Sequence, residues 1–493
     1  MTSVYASIAP ACELTLLPTV FSQHSLSVET NVSSNLITTR PITLGCSDQE
    51  KVTGSHFDIG CIVAAVRFVT EGAISMRASS RVCGIIFQLA GCKPFEYPSH
   101  TTVQNFLLRI CLYLLQQNSQ RHDDWVWIAD HTYSVGTVKV FAILGIRRSH
   151  FVSLQGPVQH QDLVVLAMLS VESSNGLVVE QQFEDLAAKV GNPLAILSDA
   201  GSDLHKGTKL FQDKHANVIP LYDIVHMTSR KIEKIMNADE RWDKFRKDCC
   251  TCANAVRQSK LAHLKPPRPR AKARYMNIDH EVRWGARALQ VLDRVRLGQL
   301  NPRQKERLPL EQVEAKLSWL DNYRDSIKRW ECLSLTGRQV ISEVRRQGYG
   351  TTTVAAVERI AQATNDPACL AFVEDIAATV KPMCEDASQH GRLPSSSEVL
   401  ESLFGKGKRL LSGSNTGTTN SLTRQLLAMV ACTVAITPTL VRAALANCSI
   451  ADILKWSKAN FGQGLHYNRR LDLTPTPEEQ KLRKHIPTAI PVF

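Results

Sequence analysis

The sequence predicts an α/β core with a mixed five-stranded sheet and flanking helices, split by a large α-helical insertion and preceded by a small helical domain. Three observations lead to this fold class. Residues 121–239 contain short apolar runs that alternate with amphipathic helical segments. Residues 240–394 are rich in Glu, Lys, Arg, Leu and Ala and contain no further strand-like run. At 493 residues, the chain is also too long for one ordinary core, so several domains are expected.

The N-terminal part is expected to contain an arm and then a helical domain. Residues 1–50 are rich in Ser and Thr, with Arg40 as their one basic residue, which predicts an extended or poorly ordered arm over 1–54. Residues 55–120 show three helical segments, and Ser99 before the third is typical of an N-cap. This pattern favours a helix-turn-helix DNA reader; the alternative is a helical cap packed on the core. The side chains that the third helix would present to a major groove are Thr101, Thr102, Gln104, Asn105 and Arg109.

The next part of the chain predicts the order three strands, helix, strand, helix, strand, helix. The expected strands cover residues 125–130, 137–144, part of 161–171, 193–198 and 216–221. The expected helices cover residues 179–190 and begin near residues 203 and 223. After the insertion, residues 395–465 are predicted to form the final helices of the core, and residues 466–493 a tail.

Three acidic segments bear on chemistry. Two of the apolar runs end on an aspartate, Asp130 and Asp199, and a helical stretch after the insertion carries Glu401. Carboxylates are ligands of hard divalent cations, and two such cations can clamp the attacking and leaving oxygens of a phosphoryl transfer. One aspartate after a strand is common in α/β proteins. The ordered set of three acids on a basic chain is more specific.

These segments resemble the DDE catalytic core of bacterial insertion-sequence transposases, which have an RNase H-like fold. The matching residues are Asp130 within 127–136, Asp199 within 198–207, and Glu401. The resemblance covers roughly residues 55–240 and 395–440. In the RNase H-like fold the first and fourth strands lie side by side, which would bring the two aspartates together.

The third acid has a competitor. Glu398 lies three residues before Glu401 and would occupy an adjoining part of the same helix face. The spacing from Glu401 to Lys408 is similar to the Glu-x6-Lys signature of one group of these transposases, although Pro394 and Ser397 replace its usual Tyr and Arg. The alternative is a surface helix with Glu–Lys pairs. The basic residues expected to contact DNA from this helix are Lys406, Lys408 and Arg409.

Composition points to a polyanionic partner. The net charge is +12 and the pI is near 9.1, which favours nucleic acid, although a generally basic surface is the alternative. The basic segment 260–274 is either a solvated loop or a segment that binds DNA phosphates. Trp284 is interpreted as a core residue, with stacking on a flipped base as the less favoured alternative.

Most cysteines lie in apolar runs, as in a reducing cytosol. The spacing of Cys249, Cys250 and Cys252 suggests zinc, but buried or surface thiols are favoured.

The resemblance implies a transposase that binds the ends of a mobile DNA element and catalyses strand cleavage and transfer. Its cofactor would be two Mg²⁺ (or Mn²⁺) ions on Asp130, Asp199 and Glu401, and its partners the terminal repeats and target DNA, bound by a homodimer. A bacterial, cytoplasmic protein that joins the nucleoid on DNA is expected, since no apolar run reaches membrane-spanning length and the N-terminus lacks signal-peptide features. The alternatives are a catalytically decayed or domesticated transposase that only binds DNA, and an RNase H-like nuclease without strand transfer.

Overall fold

The structure is a computed structural model. It describes residues 52, 55–89, 97–117, 120–135, 138–171, 174–199, 201–268, 274–410 and 421–461. The predicted tail, and all of the predicted arm except residue 52, lie outside the described residues. The described chain begins with three helices: α1 (Ile59–Thr70), α2 (Met76–Leu89) and α3 (His100–Gln117). Ser99 caps α3 as predicted, because its Oγ accepts a hydrogen bond from the backbone N–H of Thr102 at 3.2 Å.

The core follows the predicted order of strands and helices except for one additional short helix, α4 (Arg148–Ser153), between the second and third strands. Its elements are β1 (Trp125–Val135), β2 (Val138–Arg147), α4 (Arg148–Ser153), β3 (Val164–Val171), α5 (Gly176–Val190), β4 (Ala195–Ser198), α6 (Ser202–Lys214), β5 (Ile219–Tyr222) and α7 (Ile224–Asn237). The five strands form one mixed sheet in the order β3-β2-β1-β4-β5. Strand β2 is antiparallel to both of its neighbours, whereas β1, β4 and β5 run parallel. The expectation that the first and fourth strands are neighbours is confirmed.

One strand boundary differs from the prediction. Strand β1 does not end at Asp130 but continues to Val135, because its antiparallel partner β2 pairs with it far beyond that point. Asp130 therefore lies inside the strand, opposite Ala142. Asp199, in contrast, directly follows the last residue of β4. The hairpin partner, which local sequence does not reveal, sets the length of β1.

The alternation of side chains divides the sheet into two buried faces. Trp127 and Ile196 belong to an apolar cluster that includes residues of α5 and α6, such as Phe183 and Phe211. Residues one position away along the same strands, such as Ile128, belong to the larger cluster on the other face. Both faces are therefore covered, as is usual for a sheet with parallel strands.

Residues 240–394 are almost entirely helical. They form α8 (Glu240–Val256), α9 (Arg274–Arg296), α10 (Pro302–Arg307), α11 (Leu310–Leu317), α12 (Arg324–Gln347), β6 (Tyr349–Gly350), α13 (Thr353–Gln362), α14 (Pro367–Ser388) and β7 (Arg392–Leu393). The prediction that this region contains no strand is wrong for the two-residue pair β6–β7. Gly348 (φ +74°) and Gly391 (φ +85°) precede these strands with backbone angles that favour glycine, so turn chemistry rather than apolar periodicity creates the pair.

Side chains of the helical region are used mainly for packing. Trp242, Phe245 and Trp330 form an aromatic cluster, with ring centroids 5.0–5.7 Å apart. Trp284 stacks near Trp319 and donates its indole N–H to the carbonyl of Leu264 at 2.8 Å. This half-buried position fits the interpretation of Trp284 as a packing residue. In the predicted basic strap, residues 269–273 lie outside the described part of the chain.

The cysteine-rich stretch lies on α8. Cys249 and Cys252 are buried and Cys250 is exposed. One helical turn thus directs two of the thiols into apolar surroundings and the third into solvent. This is the arrangement expected for packing thiols.

The last helices are α15 (Glu398–Leu410), α16 (Ser421–Val430), α17 (Pro438–Asn447) and α18 (Ile450–Phe461). Helix α15 contacts β1, and α16, α17 and α18 all contact α3. The N-terminal helices and the C-terminal helices are thus packed together. No helix among the described residues is both long and apolar enough to cross a membrane.

Candidate active site

The two aspartates lie side by side at one edge of the sheet. Ala129 of β1 pairs in parallel with Ser198 of β4, so the next residues, Asp130 and Asp199, are also neighbours. By strand alternation both follow Ile128 and Leu197 onto the face of the larger cluster, which α15 also joins through Leu400 and Leu403. Sheet register therefore brings the two carboxylates together on the side where the third predicted acid is found.

The charges of this pair affect one another. Burial and the negative charge of Asp199 raise the pKa of Asp130 to about 7. The backbone N–H of His131 partly offsets this by donating to Oδ1 of Asp130 at 2.6 Å. A carboxylate so placed loses hydration next to a second negative charge. The site is consequently one that a cation would stabilise.

The glycine after Asp199 shapes the loop at this edge. The N–H of Gly201 donates to Oδ1 of Asp199 at 2.8 Å. A Cβ at position 201 would lie 3.0 Å from that oxygen and 3.3 Å from Oδ1 of Asp203. Glycine thus allows two acidic side chains to lie close to the turn between β4 and α6.

Glu401 reaches the same site from α15 through a histidine. Its Oε1 lies 3.3 Å from Nε2 of His226, near the start of α7. Burial raises the pKa of Glu401, while His226 opposes this and the charge of Asp199 adds to it. The same imidazole accounts for part of the electrostatic effect on Asp130. His226 therefore contacts Glu401 directly and also lowers the pKa of Asp130 through its charge.

Asp223 connects the start of α7, which carries His226, with the start of α15. Its fully buried Oδ1 accepts hydrogen bonds from the His226 backbone N–H at 2.7 Å and from the ring Nδ1 at 3.2 Å. Its Oδ2 accepts from the backbone N–H and, at 2.9 Å, from the hydroxyl of Ser397. The start of α7 is thus bonded to the residue that precedes α15. Although burial alone would raise it, the pKa of Asp223 is lowered, chiefly by His226.

The hydrogen bond that the His226 ring donates to Asp223 raises the pKa of His226 to about 9, against the opposing effect of burial. The negative charges of Glu401 and Asp199 act in the same direction. An imidazolium therefore provides positive charge among the carboxylates at neutral pH. This explains how several acids are tolerated in a partly buried site.

The competing acid Glu398 has a different partner. Its Oε2 lies 2.5 Å from Nη1 of Arg345, near the C-terminal end of α12. Glu401, by contrast, pairs with His226, on the side of the aspartates. Glu401 and Glu398 thus have different partners, and it is Glu401 that contacts His226.

A second polar group borders the aspartates. His131 Nε2 lies 3.1 Å from the hydroxyl of Ser174, and its Nδ1 lies 3.7 Å from Oδ2 of Asp203. The ring of His131 also stacks on Phe141 at 4.8 Å. Burial would raise the pKa of Asp203, but hydrogen bonding by Ser174 and the charge of His131 lower it. This group orients the backbone on both sides of the acid pair.

Among the described residues, no group of three or more His, Cys, Asp or Glu side chains is arranged closely enough to hold a metal ion as it stands. The contact between Glu401 and His226 explains this in part, since it directs the glutamate toward the imidazole. A rotation of that side chain, which is half exposed, would be needed for Glu401 to join the aspartates on one ion.

The residues predicted to contact DNA have varied environments. Thr101 is exposed, Thr102 hydrogen-bonds with the hydroxyl of Ser99, and Gln104 and Asn105 are half-buried. Arg109 donates to the carbonyls of Leu445 and Cys448, both at 2.5 Å, so it already has partners inside the fold. Lys406 is half-buried, and the side chains of Lys408 and Arg409 lie outside the described part.

The sequence indicates some of these supporting residues and not others. Asp-x-x-His at the start of α7 predicts a capping Asp223 and a His226 that either is half-buried or supports the site or contacts DNA, and the cap is observed. Arg345, Ser174 and Asp203 had no such local signal, since their partners come from distant parts of the chain. Only the tertiary structure reveals them.

Comparisons with known proteins add little. No protein-family model matches the chain, and no curated protein sequence matches it. Among solved structures, the Drosophila P element transposase strand transfer complex is similar with a TM-score of 0.37 and 13% identity, over 77% of this chain and 92% of that one.

Proposed function

We propose that this protein is a DDE-type transposase, which binds the ends of a mobile DNA element and catalyses metal-dependent strand cleavage and strand transfer. One observation carries the proposal. Asp130 and Asp199 are neighbours on adjacent parallel strands, and helix α15, which carries Glu401, packs against the first of these strands. This juxtaposition of three acids from distant segments is what phosphoryl transfer by divalent cations requires.

The residues fit a hard divalent cation by their chemistry. All three donors are carboxylates, and burial, together with the negative charge of Asp199, raises the pKa of Asp130 to about 7. Mg²⁺ or Mn²⁺ prefers such oxygen ligands, and Asp130, Asp199 and Glu401 would hold two ions. When bound, the ions supply an activated water or hydroxyl and neutralise charge on the reacting phosphate.

The chain's own residues perform the remaining tasks. Register between β1 and β4 orients the two aspartates, and Asp223 positions the helix starts that carry His226 and Glu401. His226 supplies positive charge next to Glu401. No protein side chain has to act as the nucleophile, because the attacking group would be water or the 3′ hydroxyl of DNA.

DNA binding is proposed to use the basic surface of the chain and the N-terminal helices. The exposed start of α3, with Thr101 and Thr102, is the part of that helix available to a groove. Arg109 is less available because of its bonds to Leu445 and Cys448. The proposal includes a homodimer on terminal repeats and target DNA, in a bacterial cytoplasm. Sedimentation of the protein with and without DNA would test the dimer.

The decisive experiment combines metal binding with cleavage. Labelled duplexes from the DNA that flanks the gene are incubated with wild type and with Asp130→Asn or Asp199→Asn, with Mg²⁺ or with EDTA. Mn²⁺ binding is followed separately by electron paramagnetic resonance. We expect wild type to bind Mn²⁺ and cleave the duplex only with metal, and the variants to lose both properties but retain DNA binding.

Three other outcomes would contradict the proposal, each differently. Cleavage by wild type in EDTA would exclude the metal-dependent mechanism. DNA binding without cleavage or Mn²⁺ binding would favour the decayed or domesticated transposase. Cleavage without joining of the 3′ end to target DNA would favour an RNase H-like nuclease.

A further inference from the structure

The helical region places an arginine beside the acid cluster. Arg345 lies in the last turn of α12, and its Nη1 is 2.5 Å from Oε2 of Glu398. Glu398 in turn lies one turn before Glu401, and its electrostatic neighbours include Asp223 and His226. A residue from the region 240–394 therefore reaches the edge of the site formed by the core.

The backbone that carries Arg345 is firmly attached, whereas its head group is accessible. The carbonyl of Val344 accepts a buried hydrogen bond from the hydroxyl of Ser395 at 3.0 Å. Val340 and Val344 are themselves fully buried. In contrast, the side chains of Arg345 and Glu398 are 43% and 36% exposed. The helix delivers a solvent-accessible guanidinium from a fixed position.

The negative charge of the acid cluster bears on the role of the Arg345 guanidinium. The carboxyl groups of the site and its border are Asp130, Asp199, Asp223, Glu398 and Glu401. The cations that contact members of this group include His226, with Asp223 and Glu401, and Arg345, with Glu398. A DNA phosphate that approached this edge would meet excess negative charge. Bound divalent ions would offset part of it, and a guanidinium at the rim would offset more.

A structural role alone does not account well for the ion pair. Pairs between groups this exposed contribute little to folding, because water competes for both partners and screens them. Helix α12 is already anchored by buried side chains such as Trp330, Leu333 and Val340. A guanidinium, moreover, exchanges a carboxylate for a phosphate readily, since both accept two parallel N–H bonds from its planar fork.

We propose that Arg345 is a DNA-phosphate-binding residue of this active site, held in place by Glu398 until a phosphodiester replaces that carboxylate. The proposal rests on the proposed function, because it assigns the site a DNA strand as its ligand. It also gives the helical region a direct part in substrate binding. The site is then completed by residues from both the core and the insertion.

The test compares neighbouring arginines on one helix. Arg346 is 68% exposed and pairs with Glu343 at 2.6 Å, so Arg346→Ala is the matched control for Arg345→Ala. The affinity of the full chain for a labelled flanking-DNA duplex is measured from low to high KCl. Loss of one phosphate contact should reduce the slope of log affinity against log salt by about 0.9. We expect that reduction, with a loss of affinity of about 10- to 100-fold at low salt, for Arg345→Ala only.

Two further variants separate phosphate binding from simple stability. Arg345→Lys keeps the positive charge but not the planar guanidinium. This variant should therefore keep the wild-type salt slope, whereas its cleavage rate should lie below that of wild type. Glu398→Gln frees the arginine and should leave the slope unchanged while affinity stays equal or rises. Melting curves of all variants check folding.

The outcomes are distinguishable. If Arg345→Ala and Arg346→Ala bind with the same slope as wild type, Arg345 is only a structural partner of Glu398 and the inference is overturned. If the slope falls only for Arg345→Ala but wild type never cleaves, Arg345 still contacts phosphate, whereas the transposase activity is refuted. If wild type does not bind DNA at all, both ideas fail.

Discussion

Asp223→Asn is the substitution most informative about how the site is built. Asp223 is fully buried, and each of its carboxylate oxygens accepts two hydrogen bonds, Oδ1 from His226 and Oδ2 from Ser397. In asparagine one oxygen becomes an NH₂ group, which cannot accept. In either orientation two donors therefore lose their acceptor, and the buried charge that stabilises the His226 imidazolium is lost as well.

The magnitude follows from these contacts. A hydrogen bond to a charged group contributes about 1.5–3 kcal/mol, so the loss of two should cost roughly 3–6 kcal/mol. Because these bonds join the start of α7 to the residue before α15, the cost should appear as local opening there. An opening that is easier by about 3 kcal/mol speeds hydrogen exchange by roughly 100-fold.

The assay is hydrogen exchange followed by mass spectrometry on peptides covering residues 395–405. The matched control is Asp366→Asn, because Asp366 caps α14 by accepting from Cys369 N–H at 2.9 Å and asparagine caps equally well. Exchange should accelerate at 395–405 in the first variant and change little near α14 in the second. Equal, small effects for both variants would show that Asp223 does not hold the site together.

The same residue predicts a dependence on pH. The pKa of Asp223 is lowered in the folded protein, so its stabilising effect is present above the carboxyl's ordinary pKa near 4 and is lost as pH falls through the folded value. As the pH falls from about 5 to below the folded-state pKa of Asp223, the free energy of unfolding should therefore decrease more for wild type than for Asp223→Asn. Urea unfolding at several pH values measures this, and parallel pH curves for the two proteins would argue against it.

Three other predictions concern activity and packing. Asp199→Asn should abolish Mg²⁺-dependent cleavage in the duplex assay while preserving binding, because an amide keeps the shape but loses the anion that holds metal. Gly207→Ala should lower the free energy of unfolding by about 1–3 kcal/mol, since its Cβ would lie 2.5 Å from Val179. Gly405→Ala is its control in urea unfolding, because a Cβ at position 405 would meet no described atom within 4 Å apart from its chain neighbours and the backbone of its own helix. Arg109→Ala should cost about 1–3 kcal/mol through its two carbonyl partners, whereas a base-reading role would show as lost sequence preference in binding with stability unchanged.

Local rules determine much of the core. Short apolar runs predict β1 and β4, and the two-residue period of side chains along a strand sets the face of the sheet on which Asp130 and Asp199 lie. Side chains that bond to their own helix, as Ser99 and Asp223 do, are visible in sequence as caps. These features depend on residues a few positions apart. A single sequence therefore contains the information for them.

Other features required the folded chain. The length of β1 beyond Asp130 depends on pairing with β2, and the order of strands in the sheet on contacts between segments. The periodicity of α3 predicts a helix equally well whether it reads DNA or packs against α16 and α17. The two interpretations differ only in what lies opposite each face.

The choice between Glu398 and Glu401 shows the same limit most clearly. Both residues occupy one face of α15, and spacing along a helix cannot tell which of them approaches the aspartates. In the structure the two glutamates have different partners, since Glu398 pairs with Arg345 of α12 and Glu401 pairs with His226 of α7. Sequence thus determines the acids, the elements that carry them and their faces, because these follow from short-range geometry. Which charges meet is decided by tertiary packing, because Coulomb interactions act through space between segments that are far apart along the chain.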